Sequence, residues 1–380
     1  MKKQSKRDPI KVMLSWTVCL AVLAAATLLL SNAITGYRAN LLADKKKEVE
    51  EINAQRDQEY AAALAEFEQE TQSGANLAWP MHSDQGWDVV DLTNYPLENA
   101  TTVTMSRGDI MNSGMLLVNE WHSRPDDFSE SGLVSIGTYA DGKIQVANYN
   151  LNLFPVAIDA VRAAINDAAA LGLGNYMIDG AYRSWDTQNS LFQKELTALG
   201  EKYTSKTTDE LITLAKKSVN YPGTSEFNSG LSFTIRLYKR NDDTVNGTNY
   251  IESPEGQWMS ENCWKYGLVF RFPKADFPLK GTLDKSYKTG VSVSLRAYRY
   301  VGVGNATVMH LKDFCLEEYI EYLQEHPHIA VFQDGQLKYE IVRQYVGDDV
   351  GSFNVSITNR ANGYVSSLDN MGGVITVFEY

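Results

Sequence analysis

The stretch that decides the fold runs from residue 222 to residue 235 and reads Pro222-Gly-Thr-Ser-Glu-Phe227-Asn-Ser-Gly-Leu-Ser-Phe-Thr234-Ile235. A loop rich in Gly and Ser leads into residues 231–238, whose alternation is typical of a strand with one buried face. A second stretch, Ser294-Leu-Arg-Ala297-Tyr-Arg-Tyr-Val-Gly302, contains another predicted strand. These two segments predict a loop and two strands that belong to one sheet-containing core.

Other segments extend this pattern toward both ends of the chain. Residues 154–171 are Ala-rich and amphipathic, as in a helix that buries one side, and residues 306–324 predict a second helix. From Val331 onward, three β-like runs alternate with the turn signals Asp334-Gly335 and Asn362-Gly363. We therefore expect a core over 99–325 and a β-rich C-terminal extension over 326–380.

Four blocks occur in a fixed order in this core. They are Arg183-Ser-Trp-Asp-Thr-Gln188, the 222–235 loop, Trp264-Lys-Tyr-Gly-Leu268 and Tyr298-Arg-Tyr-Val-Gly302. Together they resemble the VanY-type D-alanyl-D-alanine carboxypeptidases, zinc peptidases that trim the stem peptides of peptidoglycan. The resemblance covers roughly residues 100–325 and implies an α+β fold, in which a small antiparallel sheet with flanking helices carries the site.

The resemblance also implies where that family's chemistry would lie. In the family, the loop reads Ser-Glu-His-x-x-Gly-x-x-x-Asp and a later strand reads Glu-x-x-His. The two His and the Asp bind zinc, and the Glu takes a proton from the attacking water. Here the first His falls on Phe227, the Asp on Thr234, the Glu on Ser294 and the second His on Ala297. Phe and Ala have no lone pair for zinc, Thr is a poor ligand, and Ser is no carboxylate base. We therefore expect no catalytic residue of this kind, no metal ligand and no zinc cofactor.

The substrate side of the implied cleft is retained. Arg183 matches the family's arginine that is thought to hold the substrate's carboxylate, and we assign Gln188 and Ser225 to substrate binding with it. A guanidinium matches the two oxygens of a carboxylate. Taken alone, Arg183 fits a structural salt bridge equally well, and both interpretations stay open.

Charge excludes some partners. The formal net charge is −12, although the first eleven residues are basic, so the rest of the chain is more acidic still. A nucleic-acid partner would need a basic face, and we expect none. The implied partner is a peptidoglycan stem peptide or a cell-wall protein.

The N-terminus predicts a membrane anchor. Residues 12–34 are apolar and uncharged, about the ~20 residues that cross a bilayer, and the basic residues 1–11 predict a cytoplasmic tail. A cleaved signal peptide, with Ser31-Asn32-Ala33 as its processing site, is the alternative. In both cases the body of the chain is extracytoplasmic, and the anchor would make it a single-pass protein of the cell membrane.

Residues 38–72 have strong helix composition without Pro or Gly and predict a helical stalk. Leu42, Val49 and Ile52 follow a heptad, which Arg56 and Glu59 then break. A solvated stalk is favoured, and a homodimer through a coiled coil is the alternative. Residues 73–98 carry Gly, Pro, Asn and Asp clusters and predict a linker.

The remaining candidate groups are cysteines and histidines. Cys263 and Cys315 are either one disulfide or two buried thiols. His122, His310 and the Glu325-His326-Pro-His328 run are the candidates for a replacement site. Three hypotheses follow: a non-catalytic carboxypeptidase-like protein that binds stem peptides, an active D-alanyl-D-alanine carboxypeptidase with an atypical site, or a scaffold of a cell-wall complex.

Overall fold

The computed structural model describes residues 46, 47, 51, 53–56, 58, 79–347 and 351–380. The chain divides into two units, Met1–Leu77 and Ala78–Tyr380. In the first unit the described residues, between Lys46 and Gln58, are helical. No helix of the described part has the length and apolar character to cross a bilayer. The segments predicted as tail and anchor (1–11 and 12–34) and most of the predicted stalk (38–72) lie outside the described residues, so these stay predictions.

The second unit contains both helices and strands. Its strands are β1 Trp87–Asp91, β2 Ala100–Ser106, β3 Val134–Ser135, β4 Gln145–Val146, β5 Asn152–Leu153, β6 Tyr176–Gly180, β7 Ser232–Leu237, β8 Leu268–Phe270, β9 Ala297–Tyr300, β10 His328–Gln333, β11 Gln336–Tyr345, β12 Ser352–Thr358, β13 Gly363–Leu368 and β14 Gly373–Glu379. Its α-helices are α1 Arg107–Ile110, α2 Ile136–Tyr139, α3 Pro155–Ala170, α4 Trp185–Lys202, α5 Thr208–Ala215, α6 Asp243–Asn246, α7 Pro254–Asn262, α8 Ser286–Thr289, α9 Val303–Lys312 and α10 Leu316–Glu325. Short 3-10 helices cover Glu226–Ser229, Tyr250–Glu252 and Cys263–Tyr266.

One five-stranded sheet, in the order β4-β6-β7-β9-β8, positions the sequence blocks. Its pairs are antiparallel except β4 with β6, which is parallel. Parallel neighbours need a crossover, and the chain supplies it with α3 between these two strands. The expected small antiparallel sheet is therefore a mixed sheet with one parallel edge pair.

The two faces of this sheet differ because side chains alternate along a strand. Ile178, Phe233, Ile235 and Tyr298 are buried in the main hydrophobic core. That core also contains the buried side of α3. The opposite face carries Asp179, Thr234, Arg236 and Ala297, which therefore share one surface.

A second five-stranded sheet, in the order β1-β10-β11-β14-β13, corrects the predicted boundaries. The predicted linker over 73–98 contains β1, which pairs with β10 from Trp87↔Gln333 to Asp91↔Ile329. The predicted extension over 326–380 is indeed β-rich, but it shares this sheet with β1, and its β12 pairs with β2. The linker was predicted from local turn residues, whereas β1 forms because a distant strand offers it hydrogen-bonding partners.

The predicted single helix over 306–324 is two helices, α9 and α10. Asp313 ends α9 in a left-handed conformation with φ 52°, and Cys315 is the N-cap of α10. A left-handed residue cannot continue a right-handed helix, so the chain turns at this point.

Candidate functional site

The 222–235 loop forms a 3-10 turn that leads directly into β7. Gly230, with φ 70°, ends the turn, and a Cβ at this position would lie 2.7 Å from the Phe154 ring. The loop is fastened to the segment that carries Arg183. The Arg183 backbone N–H donates to the Phe227 carbonyl at 2.9 Å. In return, Asn228 Nδ2 donates to the Arg183 carbonyl at 2.7 Å.

Three of the four positions that the resemblance assigns to zinc chemistry come together. Thr234 of β7 lies directly opposite Ala297 of β9 in the strand register. Phe227 and Ala297 are buried in one small apolar cluster with Phe272, against which Val291 and Leu295 pack. Ser294 is exposed in the segment that precedes β9. We call Phe227, Thr234 and Ala297 the ligand positions.

These residues do not fit a zinc ion. Zinc in peptidases is bound by imidazole nitrogens and carboxylate oxygens. The ligand positions offer instead a phenyl ring, a methyl group and a hydroxyl that already donates to Asp179 Oδ1 at 2.6 Å. Among the described residues, no three His, Cys, Asp or Glu side chains are grouped so as to hold a metal.

Charged side chains border the ligand positions. Asp179 Oδ2 lies 3.4 Å from Arg296 Nη2 and 3.6 Å from Arg236 Nε. Gly180 makes room for the contact between Asp179 and Thr234, since a Cβ on this glycine would lie 2.6 Å from Thr234 Oγ1. The ligand positions are thus flanked by two guanidinium groups and one carboxylate.

Arg183 is stacked on Phe227, one of the ligand positions. Its guanidinium carbon is 4.5 Å from the centre of the phenyl ring, and its Nη1 donates a long 3.4 Å bond to Gln188 Oε1. Burial lowers the pKa of this half-buried arginine from its ordinary value. In these contacts Arg183 meets a ring and an amide, neither of which neutralises its charge.

The other two predicted substrate residues have structural partners. Gln188 is buried in α4, and its Nε2 donates to the Asn220 carbonyl at 2.8 Å. Ser225 is buried as the N-cap of the 3-10 turn, and its N–H donates to Asn228 Oδ1 at 3.2 Å. Both residues shape the loop around Arg183, so their direct contact with a ligand stays a prediction.

A buried network of four charged residues, Glu226, Arg271, Arg299 and Glu317, holds the loop in place. Glu226 accepts hydrogen bonds from Ser232 Oγ at 2.6 Å, from Arg271 Nε at 2.7 Å and from Arg299. Arg271 also binds both oxygens of Glu317, at 2.7 and 3.0 Å. Burial alone would raise the pKa of Glu226, but the charges of Arg299 and Arg271 hold it below its ordinary value. The network ties the loop to the end of β8, to β9 and to α10.

A separate cavity of about 280 Å³ lies at the far end of this network, where Glu317 and Asn119 form part of its lining. Its other lining residues are Leu117, Trp121, His122, Tyr287, Lys288, Glu321 and Met371. Of the predicted residues only His122, a candidate for a replacement site, is among them. His122 Nδ1 lies 3.1 Å from Asn119 Oδ1, which fixes the ring in the wall of this cavity.

The other candidate groups have separate environments. His310 stacks on Trp264 with ring centres 4.5 Å apart, and burial lowers its pKa. His326 lies 2.8 Å from Asp91, whereas His328 lies 2.7 Å from Glu340. The two cysteines are buried free thiols, which decides between the alternatives for Cys263 and Cys315. Burial raises the pKa of the Cys263 thiol to about 12.

The region that contains these residues is similar to known proteins. Residues 150–303 match the VanY family model, described as D-alanyl-D-alanine carboxypeptidase. This matched range contains Arg183, the loop, β7 and β9. In this range the chain is similar to the VanY-type carboxypeptidase family.

Individual VanY-type relatives extend the match beyond this range. A D-alanyl-D-alanine carboxypeptidase of Enterococcus faecium is 28% identical over 284 residues, which is 74% of this chain and 80% of the relative. The crystal structure of the vancomycin-resistance D,D-dipeptidase VanXYg, in complex with a D-Ala-D-Ala phosphinate analogue, has a TM-score of 0.54 at 21% identity. It covers 74% of this chain and 99% of that one, which shows the shared fold. A VanY D,D-pentapeptidase mutant from a VanB-type cassette, solved with Zn(II), is 25% identical with a TM-score of 0.41. It covers 55% of this chain and 98% of that one, and the zinc is that protein's own.

Sequence reasoning missed two features of this VanY-type site. The contacts of Asp179 with Arg236 and Arg296 depend on strand register, which no local pattern reveals. The second feature is the network from Glu226 to Glu317, whose members are separated by up to 91 positions in the numbering and meet only in the fold. Charged residues inside apolar strands, such as Arg271 and Arg299, were the available signal for it.

Proposed function

We propose that this chain is a catalytically inactive member of the VanY-type family, anchored in the cell membrane through residues 12–34. Its domain lies outside the membrane and binds peptidoglycan stem peptides at Arg183 and the ligand positions. The relatives named D-alanyl-D-alanine carboxypeptidase suggest peptides that end in D-alanine as the ligand.

The observation that carries this proposal is the combined replacement at the ligand positions. Phe227, Thr234 and Ala297 converge in the fold, so the resemblance in sequence corresponds to one place in space. Loss of all three donors removes water activation and carbonyl polarisation together. Phe227 also fills volume beside Ala297, so the change affects both the chemistry and the shape of the site.

Retention of Arg183 supports binding. A half-buried arginine that contacts a ring and an amide keeps donors for an incoming carboxylate, and charge-assisted bonds of this kind are the strong ones. The loop that holds Arg183 is fastened by three buried residues, Ser225, Asn228 and Gln188, so the guanidinium is positioned before a ligand arrives.

The test uses the purified full-length chain in detergent, with three readouts: zinc content, D-alanine release and binding of diacetyl-Lys-D-Ala-D-Ala. We expect zinc far below one ion per chain, no D-alanine release, and measurable binding that Arg183→Ala weakens by about tenfold or more. Arg240→Ala, at an exposed position beyond β7, is the matched control and should bind like the parent.

Zinc-dependent release of D-alanine would overturn the inactive assignment. Failure of the parent chain to bind the peptide would overturn the binding assignment. Equal binding by the parent and a folded Arg183→Ala variant would make Arg183 a structural residue.

A further inference from the structure

Two arginines on the site face of the sheet form few hydrogen bonds with other groups of the protein. Arg236 follows Thr234 by two positions on β7, so both side chains lie on the same face. Arg296 precedes Ala297, the residue opposite Thr234. Both guanidinium groups approach the same atom, Asp179 Oδ2, at 3.6 and 3.4 Å. We call Arg236 and Arg296 the arginine pair.

The charge of the arginine pair exceeds that of its partner. One carboxylate faces two guanidinium groups, and the other oxygen of Asp179 already accepts the Thr234 hydroxyl. Each guanidinium carries several N–H donors, but the pair makes only one hydrogen bond to Asp179, at 3.4 Å. Both arginine side chains are 37% exposed, so their remaining donors are accessible. This positive site lies in a chain of net charge −12.

The position of the pair indicates what it would bind. The pair contacts Asp179, which accepts the hydroxyl of Thr234, one of the ligand positions, where the family resemblance implies a metal beside the peptide bond to be cut. The resemblance assigns Arg183 to the carboxylate of the last residue and the ligand positions to the bond before it, so the residue that precedes this bond would lie beside the pair. A peptide shortened by the last residue has a new carboxylate at this point. A longer peptide has only a neutral amide there.

We propose that the arginine pair is a second carboxylate site, which recognises stem peptides from which the terminal D-alanine has been removed. This rests on the proposed function, because the same site must bind stem peptides. Charge-assisted hydrogen bonds are about twice as strong as neutral ones, so guanidinium groups favour the carboxylate of the shortened peptide over an amide. The pair supplies fixed positive charge beside the ligand positions without activating water.

Three probes test this on the full-length chain: diacetyl-Lys-D-Ala-D-Ala, diacetyl-Lys-D-Ala and the amide of diacetyl-Lys-D-Ala. We expect the parent to bind the shortened acid at least about tenfold more tightly than its amide. The double variant Arg236→Gln/Arg296→Gln should lose about tenfold or more in affinity for the shortened acid and keep its affinity for the longer peptide. Arg183→Ala should show the reverse preference.

Arg240→Gln, which removes one charge just beyond the same strand, is the control and should change neither affinity. The variant Arg236→Lys/Arg296→Lys keeps the charge but loses the planar fork, and we expect an intermediate loss. If the glutamine variant does not fold, the lysine variant decides the question.

The outcomes separate this inference from the proposed function. A parent chain that binds none of the probes overturns both. A parent that binds the longer peptide but does not distinguish the shortened acid from its amide overturns only the second site. Unchanged binding of the shortened acid by the folded glutamine or lysine variant does the same.

Discussion

Phe227 is the residue at which this chain differs most from the zinc chemistry of the VanY-type family that it resembles. Its ring is 4% exposed, packs with Phe272 and Ala297, and supports the Arg183 guanidinium at 4.5 Å. One substitution therefore removes a nitrogen donor, fills the space beside the other ligand positions and contributes a stacking surface for a cation. Reversal of this change alone would restore one donor out of three.

Restoration of all three ligands is a direct test of the ligand positions. The variant Phe227→His/Thr234→Asp/Ala297→His should bind about one zinc ion per chain, because three such ligands leave one coordination position open for water. The register of Thr234 with Ala297 and the contact of Phe227 with Ala297 already bring these positions together. The zinc content is measured by elemental analysis after dialysis, with Phe227→His alone as the control that should hold none. A folded triple variant without zinc would contradict the assignment of these positions.

At the scale of elements, the buried charge network holds the site loop against three other segments. Glu226 belongs to the 3-10 turn, Arg271 follows β8, Arg299 belongs to β9 and Glu317 belongs to α10. All four side chains are at most 6% exposed. A buried charge without its partner is costly, so the network acts as a unit that fixes the loop independently of any metal.

Glu226→Gln should lower the free energy of unfolding by about 3–5 kcal/mol at pH 7, because it leaves Arg299 buried without a carboxylate partner, whereas Arg271 keeps Glu317. The control is Glu98→Gln, in a partly exposed pair with Arg360, which should cost at most about 1 kcal/mol. Urea denaturation measures both. A cost for Glu226→Gln as small as that of the control would show that the network does not stabilise the fold.

The Glu226→Gln variant also tests how the stability of the fold depends on pH. The folded pKa of Glu226 is held below its ordinary value of 4.5, so its contribution to stability is present above that pH and is lost as the pH falls through the folded value. The parent should therefore lose stability below about pH 4.5 more steeply than Glu226→Gln. Parallel curves would contradict the depressed pKa.

Prediction from sequence succeeded where the determining interactions are local. The predicted helix over 154–171 is α3, and the predicted strand over 231–238 is β7, because apolar periodicity follows the buried face of each element. It failed at β1 and at the break between α9 and α10. In the first case the partner strand lies at residues 328–333, and in the second a single left-handed Asp313 ends the helix. The ligand positions were found through the family's spacing, whereas the arginine pair required the strand register.

At the scale of the whole molecule, the two ends of the described domain are joined. Strand β2 pairs with β12 from Ala100↔Thr358 to Ser106↔Ser352, and β1 extends the sheet of β10. The main core combines residues near the site, such as Phe233, with C-terminal residues such as Val355 and Phe378. The C-terminal strands are therefore part of the same hydrophobic core as the site sheet.

Removal of residues 326–380 should consequently unfold the domain. A chain of residues 79–325 leaves β1 and β2 without partner strands. It also lacks Val355 and Phe378, so the core residues that pack against them become exposed, and we expect no cooperative thermal transition. A chain of residues 79–380 keeps every one of these contacts and should melt cooperatively. Circular dichroism during heating, with dispersion of the amide proton signals as a second measure, distinguishes the two. A cooperative transition in the shorter chain would show that the C-terminal strands are a separate extension and that the site sheet folds without them.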